Sequence, residues 1–271
     1  MHVGPGYTGD VSIPRSVKDL IPLSATSWYY DERAGKPDLQ TFLAPVRVFL
    51  YRDYLPALCQ GTMLPPGERQ RVAQQLEAFT GLPAAYYLAH DLHVSREDFR
   101  KERLKAKGLR IGSFDTRFTL PADETQDPTL ARLDPWLDAA GRAHEQELGL
   151  QLRRSFRPNA FDESSAFLWP FDAEYDMEGL GGNWYPMGMT VSEAMHRAWE
   201  KKPSLRFFFA TGLFDTVATV ENTRFAVSHT RVPMENIELH EYESGHAVYA
   251  DERSRHALAR DLRAFLLSGL A

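Results

Sequence analysis

The sequence predicts an α/β protein in which a long, mostly helical region precedes a short segment of alternating strands and helices. Three observations carry this. Five windows between residues 37 and 203 repeat their apolar residues at helical spacing. "SLRFFFATG" (204–212) and "NIELHEYE" (236–243) then read as strands, one a short apolar run and the other alternating. Each strand is followed by an amphipathic stretch, "TVENTRFAVSHT" and "SRHALARDLRAFLLSG". Strand, helix, strand, helix argues for parallel packing.

In chain order, the first 35 residues read as loop, punctuated by Gly4, Pro5, Gly6, Gly9, Pro14 and Pro22. "PDLQTFLAPVRVFLYRDYLPALCQG" (37–61) predicts a helix with Pro37 in its first turn and Gly61 as its stop. "PPGERQRVAQQLEAFTG" predicts a second, ending at Gly81. "SREDFRKERLKAKG" predicts a third, with Ser95 as N-cap, acids early, lysines late and Gly108 as stop. "TLARLDPWLDAAGRAHEQELG" predicts a fourth, broken near Pro135. Residues 153–189 read as irregular. "TVSEAMHRAWEKKP" predicts a short helix capped by Thr190 or Ser192.

Composition sets outer limits. The 271 residues are 43% hydrophobic, 25% charged and 12% aromatic, an ordinary globular balance with enough chain for a sizeable core. The net charge of -6 gives no basic face for nucleic acid. One cysteine, Cys59, excludes an internal disulfide framework. No apolar run is long enough for a membrane span, and no charged start leads into an apolar core as in a signal peptide.

Two residues stand where chemistry gathers in open α/β sheets, just beyond the carboxyl ends of the strands. Asp215 follows the first strand in "ATGLFDTVATVEN", and His246 follows the second in "EYESGHAVY". Neighbouring strands would let them meet, and an aspartate orienting a histidine is the second half of a Ser-His-Asp arrangement. Their order also matches the Ser, Asp, His order of α/β-hydrolases. Taken singly, Asp215 also reads as a turn or helix cap, and His246 as a structural or solvated histidine.

Four stretches resemble the serine carboxypeptidases, in particular their bacterial branch. "GLFDTVATV" is similar to the segment around the triad aspartate, Gly-x-x-Asp-x-x-Thr-Pro, and "EYESGHAVY" to the histidine segment. "IPLSATSWYYDERAGKPDLQTFL" resembles the start of the family's cap, and "GLRIGSFDTRF" its Val-Gly-Arg-x-Asp-x-Arg-Phe stretch. The four fall in collinear order over most of the chain. The departures are Ala218-Thr219-Val220 after the aspartate, Tyr29-Tyr30 after the cap tryptophan, and Ser113 in place of arginine. The resemblance implies Asp215 as triad acid and His246 as triad base. It implies a helical cap with its leading loop over 1–202, and the C-terminal part of an α/β-hydrolase core over 203–271. It further implies a peptide C-terminus as substrate, no cofactor, and a periplasmic or secreted setting, although the start of the sequence does not fix the compartment.

The nucleophile is the exception. The family carries it in a Gly-x-Ser-x-Gly elbow ahead of the cap, and this sequence has none. Ser244 lacks the elbow, and Ser12 in "GDVSIP" has no strand before it. The resemblance therefore implies the C-terminal portion of a longer protein or a processed chain with a lost partner, inactive alone. Two other readings compete: a non-catalytic module that binds a partner through an exposed sheet edge, and an acyltransferase using the same triad. His240, His246 and His256 do not form a ligand set at zinc spacing. Trp169, Trp184 and Tyr185 read as cap packing or as cleft lining.

Overall fold

The first helix of the structure lies where the sequence predicted loop. The computed structural model describes residues 15–148 and 191–269, and it opens on α1 (Arg15–Tyr29), with Pro22 inside the helix. Proline removes one ladder bond, and its neighbours compensate by burial. Val17, Leu20, Ile21, Leu23 and Ala25 are at most 1% exposed. α1 packs against four other helices, so it is buried on more than one side. Its small polar residues find internal partners. The Thr26 hydroxyl bonds Pro22 O at 2.6 Å and Thr116 Oγ1 at 2.5 Å, and Ser27 Oγ donates to Thr80 O at 2.5 Å.

α2 (Leu39–Phe49) starts at Asp38, whose carboxylate accepts from Thr41 N at 3.0 Å. It widens into a π-turn over Leu50–Tyr54 before α3 (Leu55–Gln60). Pro56 explains the widening: it has no N–H for the ladder, and its ring crowds the carbonyl one turn earlier. α4 (Pro66–Thr80) ends at Gly81 in the left-handed region, the predicted stop. α5 (Ala84–Ala89) was not predicted. α6 (Arg96–Glu102) has the predicted cap, Ser95 Oγ accepting from Asp98 N at 3.0 Å, yet it stops six residues short of Gly108. Leu104, 2% exposed, turns inward, and a separate 3-10 turn covers Lys105–Lys107.

A small antiparallel hairpin follows, β1 (Leu109–Ile111) with β2 (Thr119–Pro121). α7 runs unbroken over Pro128–Leu148, so the break expected at Pro135 does not occur. A single missing N–H leaves the rest of a 21-residue ladder in place. α8 (Val191–Lys201) contains Ser192 inside the helix rather than at its cap, and Thr190 and residues 153–189 lie outside the described residues.

The last part follows the predicted order: β3 (Phe207–Gly212), α9 (Val220–Ser228), β4 (Ile237–Tyr242) and α10 (Glu252–Ser268). β3 and β4 pair in parallel, in register from Phe207 opposite Ile237 to Gly212 opposite Tyr242. The described chain is thus mostly helical with two small two-stranded sheets. One apolar core joins α1 to α6 with Leu213, Phe214 and Val220, and so crosses the expected boundary at 202/203. Among the described residues no helix is long and apolar enough to cross a membrane.

Candidate active site

The two parallel strands deliver Asp215 and His246 to one place. Past the end of β3 the hydrogen bonding continues: Leu213 N donates to Tyr242 O at 2.9 Å and Phe214 N to Ser244 O at 3.0 Å. The two strand-end loops are therefore joined along their length. Their approach requires glycine at 212, because a Cβ there would overlap the carbonyl oxygens of Ser244 and Gly245.

Asp215 sits in the turn between β3 and α9 and is 2% exposed. Its Oδ1 accepts from Val217 N at 2.7 Å and Ala218 N at 3.1 Å, a local turn that fixes the carboxylate. Its Oδ2 lies 2.8 Å from His246 Nδ1. Asp215 therefore serves its turn and the histidine together: one oxygen closes the turn while the other meets His246. The His246 side chain is 36% exposed, and its backbone N donates to Phe114 O at 2.7 Å. The Phe114 ring meets the imidazole edge-on, with centroids 5.5 Å apart. The hydrogen bond to Asp215 raises the His246 pKa above its ordinary value; burial opposes this, and the carboxylate's charge adds to it. A carboxylate accepts only, so Nδ1 carries the proton and the neutral ring keeps its lone pair on Nε2. Among the described residues Nε2 has no hydrogen-bond partner. The pair can therefore take up a proton at Nε2 and stabilise the resulting imidazolium.

Sequence reasoning missed what holds this pair. The loop Ser113–Phe118, between β1 and β2, touches both halves. Thr116 N donates to Phe214 O at 3.1 Å, and Thr216 donates to Ser113 O through its backbone N (3.3 Å) and its hydroxyl (2.7 Å). Arg117 grips Asp115 with two parallel bonds, Nε to Oδ1 at 3.0 Å and Nη2 to Oδ2 at 2.7 Å. The available signal was the Asp-x-Arg spacing in "SFDTRF". Tyr30, on the segment after α1, donates to Thr116 O at 2.9 Å; burial pushes its phenol pKa well up, so it stays protonated. A second polar cluster ties the helical region to β4 and α9. Arg47 bonds Glu221 at 3.1 Å and Glu241 at 2.6 Å, and Arg224 reaches Glu241 at 2.8 Å.

The other singled-out residues do not join the pair. Ser244 is 1% exposed, with its backbone used by Tyr242 and Phe214. Ser12, Trp169, Trp184 and Tyr185 lie outside the described residues. His240 stacks on Phe208 and bonds Glu238 at 3.1 Å. Comparison with known proteins adds no family: no family model, curated protein or solved structure matches this chain.

Proposed function

We propose that this chain is the acid–histidine half of a serine carboxypeptidase-like hydrolase, built on the C-terminal part of an α/β-hydrolase core. The observation that carries the reading is the 2.8 Å contact between Asp215 and His246 at the ends of two adjacent parallel strands. In the proposed reaction a serine attacks the last peptide bond of the substrate. His246 Nε2 takes the hydroxyl proton and returns it to the leaving amine, while Asp215 holds the ring and balances its positive charge. The sequence has no nucleophile elbow, so the serine and its oxyanion donors come from a further polypeptide segment.

The place for that segment is the surface around the short sheet. Parallel sheets are normally covered on both faces and extended at their edges. Here β3 and β4 are paired only with each other among the described residues, and Phe207, Phe208 and Phe209 are only half-buried. On α10, Leu262, Leu266 and Leu267 are 38%, 59% and 54% exposed. The same features support the competing reading, a partner-binding module without catalysis.

A fluorophosphonate probe separates the two. Purified 1–271 should take no label and cleave no blocked dipeptide, since without a nucleophile no covalent intermediate forms. The same chain isolated with its native partners should be labelled on a serine outside 1–271, and His246→Ala should abolish that label. A native assembly that takes no label would sink the hydrolase reading in favour of the binding module. Labelling of 1–271 alone, lost in His246→Ala, would place the nucleophile inside the chain and refute the shared-site arrangement.

A further inference from the structure

We propose that Arg117, acting through Asp115, is a positioning residue that sets the His246 imidazole against Asp215. The inference rests on the reading of those two residues as a working pair, and it assigns a task to a guanidinium that lies outside the pair.

The bonds of Arg117 converge on every segment that places the pair. Its fork closes on Asp115. Its Nη1 donates to Glu243 O at 2.9 Å, three residues before His246, and reaches Asp251 Oδ2 at 3.5 Å, the cap of α10. Its flat face lies 5.1 Å from the ring centroid of Phe214, next to Asp215. Asp115 completes the clamp from the other side. Gly245 lies so close to it that an added Cβ would come within 2.7 Å of Asp115 Cγ and 2.5 Å of Phe114 O. The same Phe114 O accepts from His246 N. Displacing Asp115 therefore moves the wall on which the histidine loop rests and the carbonyl that holds the histidine's own backbone.

The chemistry requires arginine. Three donor nitrogens in one rigid plane serve Asp115, Glu243 O and Asp251 at once, with the face left for Phe214. Lysine has one nitrogen on a flexible stem and reproduces the charge without the fork. The clamp is well placed to act locally: the Arg117 and Asp115 side chains are 17% and 9% exposed. Among the described residues the charged groups at this corner are Asp215 on the imidazole itself, Asp115, Arg117 and Asp251 behind its loop, and Arg96, whose Nη1 donates to Thr216 O at 3.1 Å beside Asp215.

A merely electrostatic role predicts the opposite sign from a positioning role, and the test uses that difference. Removing a nearby positive charge favours protonation and raises the histidine midpoint. Loosening the Asp215 contact lowers it. The His246 ring is titrated by NMR in the full chain and in Arg117→Gln, Arg117→Lys and Asp215→Asn, with circular dichroism to establish that each is folded. In the wild type the midpoint should lie above 6.5, and Asp215→Asn should bring it down. In folded Arg117→Gln it should fall by about one pH unit, from loss of a charge-assisted hydrogen bond. Arg117→Lys should fall between the two and supplies the measurement if Arg117→Gln is unfolded. An unchanged or raised midpoint in folded Arg117→Gln, or a wild-type midpoint in Arg117→Lys, would overturn the positioning role. A wild-type midpoint that Asp215→Asn leaves unmoved would instead overturn the pairing of Asp215 with His246.

Discussion

Gly245→Ala adds one methyl group at the point where the histidine loop touches the Ser113–Phe118 loop. The built Cβ lies 2.5 Å from Phe114 O and 2.7 Å from Asp115 Cγ, where ordinary contact begins near 3.4 Å. Neither neighbour is the free end of a flexible side chain. Phe114 O is backbone and already accepts from His246 N, and Asp115 is gripped by Arg117. Overpacking of this kind costs about 1–3 kcal/mol, and rigid neighbours put it in the upper half of that range. For a chain of this size the melting temperature should fall by about 4–5 °C. Thermal unfolding followed by circular dichroism measures it, and a two-dimensional NMR spectrum shows whether the backbone signals of residues 114, 115 and 246 move together. A melting temperature within about 1 °C of wild type, with those signals unmoved, would refute the close approach of the two loops at Gly245.

Leu20→Ala tests whether α1 is core: a side chain 1% exposed should cost about 2–5 kcal/mol in urea unfolding, whereas a loop residue would cost little. Arg47→Met should destabilise by about 3 kcal/mol, since Glu221, 1% exposed, and Glu241, 9% exposed, lose a shared partner; Arg224 and Tyr51 keep the loss from being larger. The pH dependence follows from His246. Its pKa is raised in the folded chain, so the stability it contributes is fully present below its ordinary value of 6.5 and is lost as pH rises through the raised value. The stability difference between wild type and His246→Gln should therefore shrink on going from about pH 6 to about pH 9, and a difference that grows would reverse the assignment.

Much of the fold was legible because it rests on local signals. Gly81 ends α4 in a left-handed residue, Ser95 caps α6, and the alternation in "IELHEY" yields a strand paired in parallel with "FFFATG". Helix caps, left-handed glycines and side-chain period act over a few residues, so sequence alone carries them. Asp215 and His246 could be singled out for the same reason. Each follows a strand, and strand ends in a parallel pair lie side by side.

Tertiary context decided the rest. Pro22 and the serines and threonines around it read as loop, yet α1 is helical because the surrounding helices bury it and its hydroxyls find partners 53 and 90 positions away. No local pattern encodes such partners. Pro135 is a helix breaker by propensity, and α7 passes through it. The clamp is the clearest case. Asp115, Arg117, Phe214, Glu243 and Gly245 lie in three separate stretches that stand out in the sequence, but nothing there says that they meet; only folding sets a guanidinium 2.9 Å from a carbonyl 126 positions away. A sequence displays which groups can donate, accept or carry charge; which of them meet depends on how the chain packs, because desolvation and geometry act between surfaces and not along the backbone.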